Sequence, residues 1–64
     1  MQTIGVYTFC NTGSVLVHEI NDDQVLASVN GVNPEYCNIV EIDDRLGFCL
    51  GDWFIPFDEV MRVY

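Results

Sequence analysis

Short runs of β-branched and aromatic residues alternate with turn-forming residues along most of this chain. The runs cover residues 3–10, 14–20, 24–30, 36–42, 46–50 and 53–55. Strands of about 4–8 residues at intervals of about 8–12 residues are typical of an antiparallel sandwich or barrel. The pattern therefore predicts a mainly β fold. We expect residues 1–64 to form a single small antiparallel barrel or sandwich of five to six short strands.

The residues between the runs predict where the chain reverses. Asn30-Gly31 is the strongest hairpin signal, because both residues tolerate the positive φ angles of a type I′ turn. Asp43-Asp44 and Gly51-Asp52 predict two further turns, since these residue types are favoured in tight turns. Pro34 lacks an N–H for a sheet ladder, so we expect it to delay the following strand to residue 36.

The C-terminal residues after Pro56 carry two competing signals. Four apolar residues lie at i, i+3, i+4 and i+7, one face of a helix: Phe57, Val60, Met61 and Tyr64. The last four residues, "MRVY", also read as a strand. A helical turn at 57–60 followed by a short closing strand accommodates both signals. A full terminal helix is the alternative.

The same region resembles the C-terminal half of an SH3-like small barrel. A Gly-Asp-Trp-Phe hairpin is followed by Ile-Pro, one helical turn and a closing strand, and Trp53 and Pro56 are the matching residues. The resemblance covers roughly residues 46–64. The strand that separates this aromatic residue from the proline in SH3 domains is missing here. The resemblance therefore implies an SH3-like architecture rather than binding of proline-rich peptides.

The net charge of −8 restricts the partners of a 64-residue chain. Arg45 and Arg62 are its only Lys or Arg residues, so it lacks the basic patch that nucleic acids and anionic membranes require. We therefore expect no direct nucleic-acid or membrane binding. Half of the residues are hydrophobic, which is high for a domain with so little interior. We expect either dense packing or a second copy or partner that covers part of the apolar surface.

The three cysteines, Cys10, Cys37 and Cys49, argue for a reducing compartment. Their odd number and wide spacing do not suit a disulfide framework, and no signal peptide or membrane-spanning run is visible. We expect a cytoplasmic protein with three free, buried thiols. Intervals of 26 and 11 residues between them also differ from zinc-ligand spacing, so we expect no metal and no cofactor.

His18 is the only histidine in the sequence and therefore the only imidazole that could act as a general base. With Cys10 or Cys49 it would form a nucleophile–base pair. No local catalytic signature surrounds these residues, so we expect a structural histidine and no enzyme.

Residues 41–59 combine acidic, aromatic and aliphatic side chains at high density. Trp53 and Phe54 point to opposite faces of a strand, so at least one should be accessible, and Trp is a typical anchor of protein interfaces. We expect a partner-binding face formed by Asp43, Asp44, Asp52, Trp53, Asp58 and Glu59. Asp52, Trp53 and Asp58 should form the tighter group. This face predicts a small acidic interaction module that binds a basic partner protein.

A second hypothesis interprets the charge as DNA mimicry. A globular chain of this many residues is about 27 Å across. A stretch of duplex DNA about 27 Å long presents about eight phosphates on one face. All ten carboxylates lie between Glu19 and Glu59. In size and charge the chain resembles small acidic inhibitors of host-defence nucleases from phages and mobile elements.

Overall fold

The computed structural model describes residues 2–63, which form a curled antiparallel half-barrel. Its elements are β1 (Gly5–Cys10), β2 (Gly13–Ile20), β3 (Gln24–Val29), β4 (Val32–Ile42), β5 (Arg45–Leu50), β6 (Trp53–Pro56), a 3₁₀ turn (Phe57–Glu59) and β7 (Met61–Arg62). Six strands pair in chain order, and β7 returns to pair with β1, giving the order β6-β5-β4-β3-β2-β1-β7.

The predicted mainly β antiparallel fold is confirmed, and it is compatible with an SH3-like architecture. The expected count of five or six strands is too low. The short closing strand Met61–Arg62 forms its own ladder with Gly5 and Val6 of β1 and brings the number among the described residues to seven.

The hairpin predicted at Asn30-Gly31 is confirmed. Both residues have positive φ, 54° and 81°, and Val29 pairs with Val32 directly across the turn. The expected delay after Pro34 is wrong, because β4 already begins at Val32. The β3–β4 register shifts beside Ser28, so Pro34 lies in an irregularity where its missing N–H costs no regular ladder bond.

β4 connects the two halves of the structure. Its first part pairs with β3 up to Asn38, and its second part pairs with β5 from Ile39 onward. Its 11 residues would span about 33 Å if straight, whereas the longest dimension of the molecule is 28 Å. β4 therefore bends as it passes from the β1–β2–β3–β7 half to the β5–β6 half.

The core lies on the concave side of this bend. β2, β3 and β4 contribute small residues and β5 and β6 contribute the two largest, the fully buried Phe48 and Ile55. The remaining members are Val15, Val17, Val25, Ala27 and Cys37. Burial of one large apolar side chain stabilises a fold by about 1.5–3 kcal/mol, so this small cluster supplies much of the stability.

The tail follows the predicted turn-plus-strand arrangement, and the full terminal helix is wrong. Val60 N–H donates to the Phe57 carbonyl oxygen and closes the 3₁₀ turn. β7 can then approach β1 closely because residue 5 is glycine, where a Cβ would lie 2.7 Å from Val60 Cγ1. Tyr64, the last residue of the proposed helical face, lies outside the described residues. Within residues 2–63, no helix has the length and hydropathy needed to cross a membrane.

Candidate functional site

The turn between β4 and β5 is strongly acidic and has a left-handed backbone at its centre. Asp43 and Asp44 are its two central residues, with φ of 53° and 64°, and Ile42 pairs with Arg45 across it. Aspartate tolerates this left-handed region better than most residues. Both aspartates are exposed at the hairpin tip.

Arg45 brings a second pair of carboxylates to this turn. Its Nη2 donates to Asp58 Oδ1 at 2.6 Å and to Glu59 Oε2 at 2.9 Å. These hydrogen bonds, the one to Asp58 first, raise the pKa of Arg45. The contact exists because β6 returns antiparallel along β5 and delivers the 3₁₀ turn beside the start of β5.

We call this region the acidic surface and define it as Glu41, Asp43, Asp44, Asp58 and Glu59 around Arg45. Five carboxylates against one guanidinium leave a local charge of −4. Two aliphatic side chains are exposed on opposite faces of this hairpin: Ile42, 44% exposed, pairs with Arg45, and Leu46, 57% exposed, pairs with Glu41. The surface is therefore both negative and apolar.

Asp52 and Trp53 lie at the other end of β5, about 17 Å away at ~3.3 Å per residue. The expected grouping of Asp52, Trp53 and Asp58 is therefore wrong, since Asp58 is held at the opposite end by Arg45. Sequence reasoning missed Arg45 as the centre of the site. Arg45 lies between Asp43-Asp44 and Asp58-Glu59 in the chain, and this position could have indicated that it pairs with carboxylates.

Trp53 is a packing residue as much as a surface residue. Its ring makes edge contacts with Tyr7 and Phe9, at centroid distances of 5.6 and 4.8 Å. Trp53 and Phe54 are both half-buried, which agrees with the expectation that at least one of the two is accessible.

His18 forms a buried hydrogen-bonded pair with Ser28. Its Nε2 lies 2.8 Å from Ser28 Oγ, and its Nδ1 lies 3.3 Å from the Gln2 carbonyl oxygen. A carbonyl oxygen only accepts, so in the neutral ring Nδ1 donates to it and Nε2 accepts from the serine hydroxyl. His18 is 9% and Ser28 1% exposed, and these hydrogen bonds satisfy the polar atoms of both side chains.

The thiols are free in the structure but are not all buried. Cys37 is buried as expected, Cys49 is half-buried, and Cys10 is exposed at the end of β1. The expectation of burial is therefore wrong for Cys10, since the β1 ladder with β2 becomes irregular before that residue. Among residues 2–63 no three His, Cys, Asp or Glu side chains are arranged to hold a metal ion.

An apolar groove of about 450 Å³ opens beside the 3₁₀ turn and β7. Its lining is Ile4, Gly5, Val17, Ile20, Phe57, Val60 and Arg62. Sequence reasoning did not anticipate it, because it forms where β7 crosses back to β1 and no local pattern encodes that crossing.

Comparison with known proteins identifies no relative: no family model, curated protein or solved structure matches the chain.

Proposed function

We propose that this protein is a small interaction module that binds a basic partner protein through the acidic surface. The observation that supports this most directly is the 44% exposure of Ile42 on the hairpin face that carries Arg45 and its two hydrogen-bonded carboxylates. Acidic residues added for solubility alone do not require aliphatic side chains between them. A partner that presents Lys or Arg beside apolar groups would complement both features.

The charges and the aliphatic side chains contribute differently to such binding. Exposed charges mainly accelerate association and select the sign of the partner. Burial of Ile42, which shares the face of Arg45, would contribute affinity that salt does not screen. Arg45 is hydrogen-bonded to both Asp58 and Glu59, so these two carboxylates lie beside the β4–β5 turn.

Replacement of both turn aspartates by asparagine tests the proposal. Asp43→Asn/Asp44→Asn removes two charges, and asparagine is at least as compatible with the positive φ of both positions. We expect the variant to fold normally and to lose most of the low-salt capture of basic proteins from a lysate. The measurement is the amount of each captured protein at low and high salt.

Asp22→Asn/Asp23→Asn is the matched control. It removes the same two charges from the exposed β2–β3 turn, which lies about 15 Å from the β4–β5 tip along β4. We expect the control to retain the partner. Equal losses in both variants would show that net charge, and not the acidic surface, attracts basic proteins, and would overturn the proposal.

DNA mimicry predicts a different outcome of the same experiment. A mimic would capture a nucleic-acid-binding protein, and added duplex DNA would release it by competing for the same basic site. Half of the ten carboxylates lie on the acidic surface, whereas Asp52 lies at the far end of β5. This division of the charge favours a local contact over imitation of a long phosphate row.

A further inference from the structure

Two uncharged hairpins, together with the β5–β6 turn, form the end of the half-barrel opposite the acidic surface. Residues 2–18 and 24–34 contain no Asp, Glu, Lys or Arg, and they supply the β1–β2 and β3–β4 turns. The two turns are joined directly. Ser14 N–H donates to Asn30 Oδ1 at 2.9 Å, and Asn30 N–H donates to the Ser14 carbonyl oxygen at 2.8 Å.

Apolar side chains are exposed along these hairpins. Phe9, Val29 and Val32 are 37%, 39% and 60% accessible. Val29 pairs with the buried Val15 on one side and with Val32 on the other, so all three valines share one face of the sheet. Phe9 contacts Trp53, which adds half-buried aromatic surface beneath. We call Phe9, Val29, Val32 and Trp53 the uncharged end.

We propose that the uncharged end is the contact surface between two copies of this chain. Each copy carries a net charge of −8, so two copies repel wherever their acidic regions face each other. The two hairpins offer exposed apolar area without charge, and Asp52 in the β5–β6 turn is the one acidic residue among the turns at this end. A two-fold contact places the same patch on both copies, so this surface would meet a second neutral, apolar surface.

A basic partner is a poorer occupant of the same surface. The two uncharged hairpins offer no carboxylate to a Lys or Arg side chain, and charged residues are depleted at the centres of protein interfaces. The two surfaces are therefore separate, and the second-copy contact does not depend on the proposed function.

The proposal makes a distinctive prediction about salt. Between two molecules of like charge, added salt screens the net repulsion while the apolar contact is unaffected. Dimer formation should therefore become stronger as salt increases. Binding of a basic partner by the acidic surface should become weaker, so the sign of the salt effect distinguishes the two interactions.

Sedimentation velocity over a concentration series at low and high salt tests the contact. We expect a species of twice the chain's mass that grows with concentration and with salt. Val32→Asp should weaken dimer formation at least about tenfold, because two like charges would face each other across the two-fold axis. Leu46→Asp is the matched control, since it adds the same charge at a similarly exposed strand position on the acidic surface. The control should dimerise like the wild type.

If Val32→Asp failed to fold, it would also fail to dimerise, so a second measurement uses the wild-type protein. In an NMR dilution series of the wild type, concentration-dependent shifts should be concentrated at Phe9, Val29 and Val32 and be absent at Asp43 and Asp44. A monomer at every concentration and salt, or shifts centred on another surface, would overturn the proposal.

Discussion

Individual cysteines of this chain differ in chemistry because their surroundings differ. Cys10 is exposed at the end of β1, and hydrogen bonds from the Thr12 backbone and then the Thr12 hydroxyl lower its pKa. Cys37 is buried, and desolvation, followed by the nearby Glu35 and Cys49, raises its pKa. A hydrogen bond to sulfur stabilises the thiolate, whereas burial opposes its charge.

These opposite shifts predict an order of alkylation. Thiolate is the reactive form, so Cys10 should react first with iodoacetamide at neutral pH and Cys37 last. As pH rises, the rate at Cys10 should also level off at a lower pH than the rate at Cys37. Peptide mass spectrometry over a time course measures each site.

The unfolded protein provides the control for the alkylation series. In denaturant without reductant all three cysteines should react at similar rates, because the local environments are lost. A Cys37 that reacts as fast as Cys10 in the folded protein would contradict the assigned environments. An unreactive pair in denaturant would reveal a disulfide.

At the scale of elements, two glycines allow aromatic rings to cover neighbouring strands. A Cβ on Gly13 would overlap the Phe9 ring. A Cβ on Gly47 would overlap the Ile55 carbonyl oxygen and lie 2.8 Å from the Phe54 ring. Gly47 is paired with Pro56 in the β5–β6 ladder, so its missing side chain lets β6 pack tightly on β5.

Gly47→Ala should therefore destabilise the fold by about 3 kcal/mol, at the upper end of ordinary overpacking costs. Backbone atoms of β6 form part of the clash, so a rotamer change cannot relieve it. Urea unfolding gives the free energy of unfolding for each variant.

Gly51→Asn is the comparison for Gly47→Ala. Gly51 has φ of 65° and nothing lies within 4 Å of its Cβ position, and asparagine tolerates that φ. We expect Gly51→Asn to lower the free energy of unfolding by less than about 1 kcal/mol. If both variants lose the same free energy of unfolding, the destabilisation arises from the loss of glycine's backbone flexibility and not from close packing of β6 on β5.

Elements that depend on local chemistry could be predicted from the sequence, and those that depend on pairing could not. Asn30-Gly31 and Asp43-Asp44 specify their turns through backbone preferences alone. The early start of β4 depends on an irregularity opposite Ser28, where Asn33 adopts a φ of 52° before Pro34, and the Asn-Pro sequence alone does not distinguish this irregularity from a turn. Likewise, Asp58 reaches Arg45 only because β6 reverses along β5. Asp58 therefore lies with Asp43 and Asp44 at one end of β5, and not with Asp52 and Trp53 at the other end.

The whole molecule separates its charge along β4. This strand begins at Val32 on the uncharged end and finishes at Ile42 on the acidic surface. If two copies meet at their uncharged ends, their acidic surfaces point away from each other. The proposed dimer would then carry two partner sites, and a surface that displays several copies of the partner could bind both at once.

This arrangement predicts that avidity and affinity can be separated by mutation. Val32→Asp should leave the affinity of a single acidic surface for soluble partner unchanged, because the substitution lies at the other end of β4. It should release the protein from partner-coated beads far faster, since linked pairs of sites commonly gain a factor of about 10²–10⁴ in avidity. Asp43→Asn/Asp44→Asn should have the opposite effect: it should remain dimeric but lose binding to soluble partner and to partner-coated beads alike.

Titration calorimetry measures the single-site affinity, and dissociation from a densely coated sensor measures the avidity. If Val32→Asp and wild-type protein leave the coated sensor at the same rate, the two acidic surfaces do not act together.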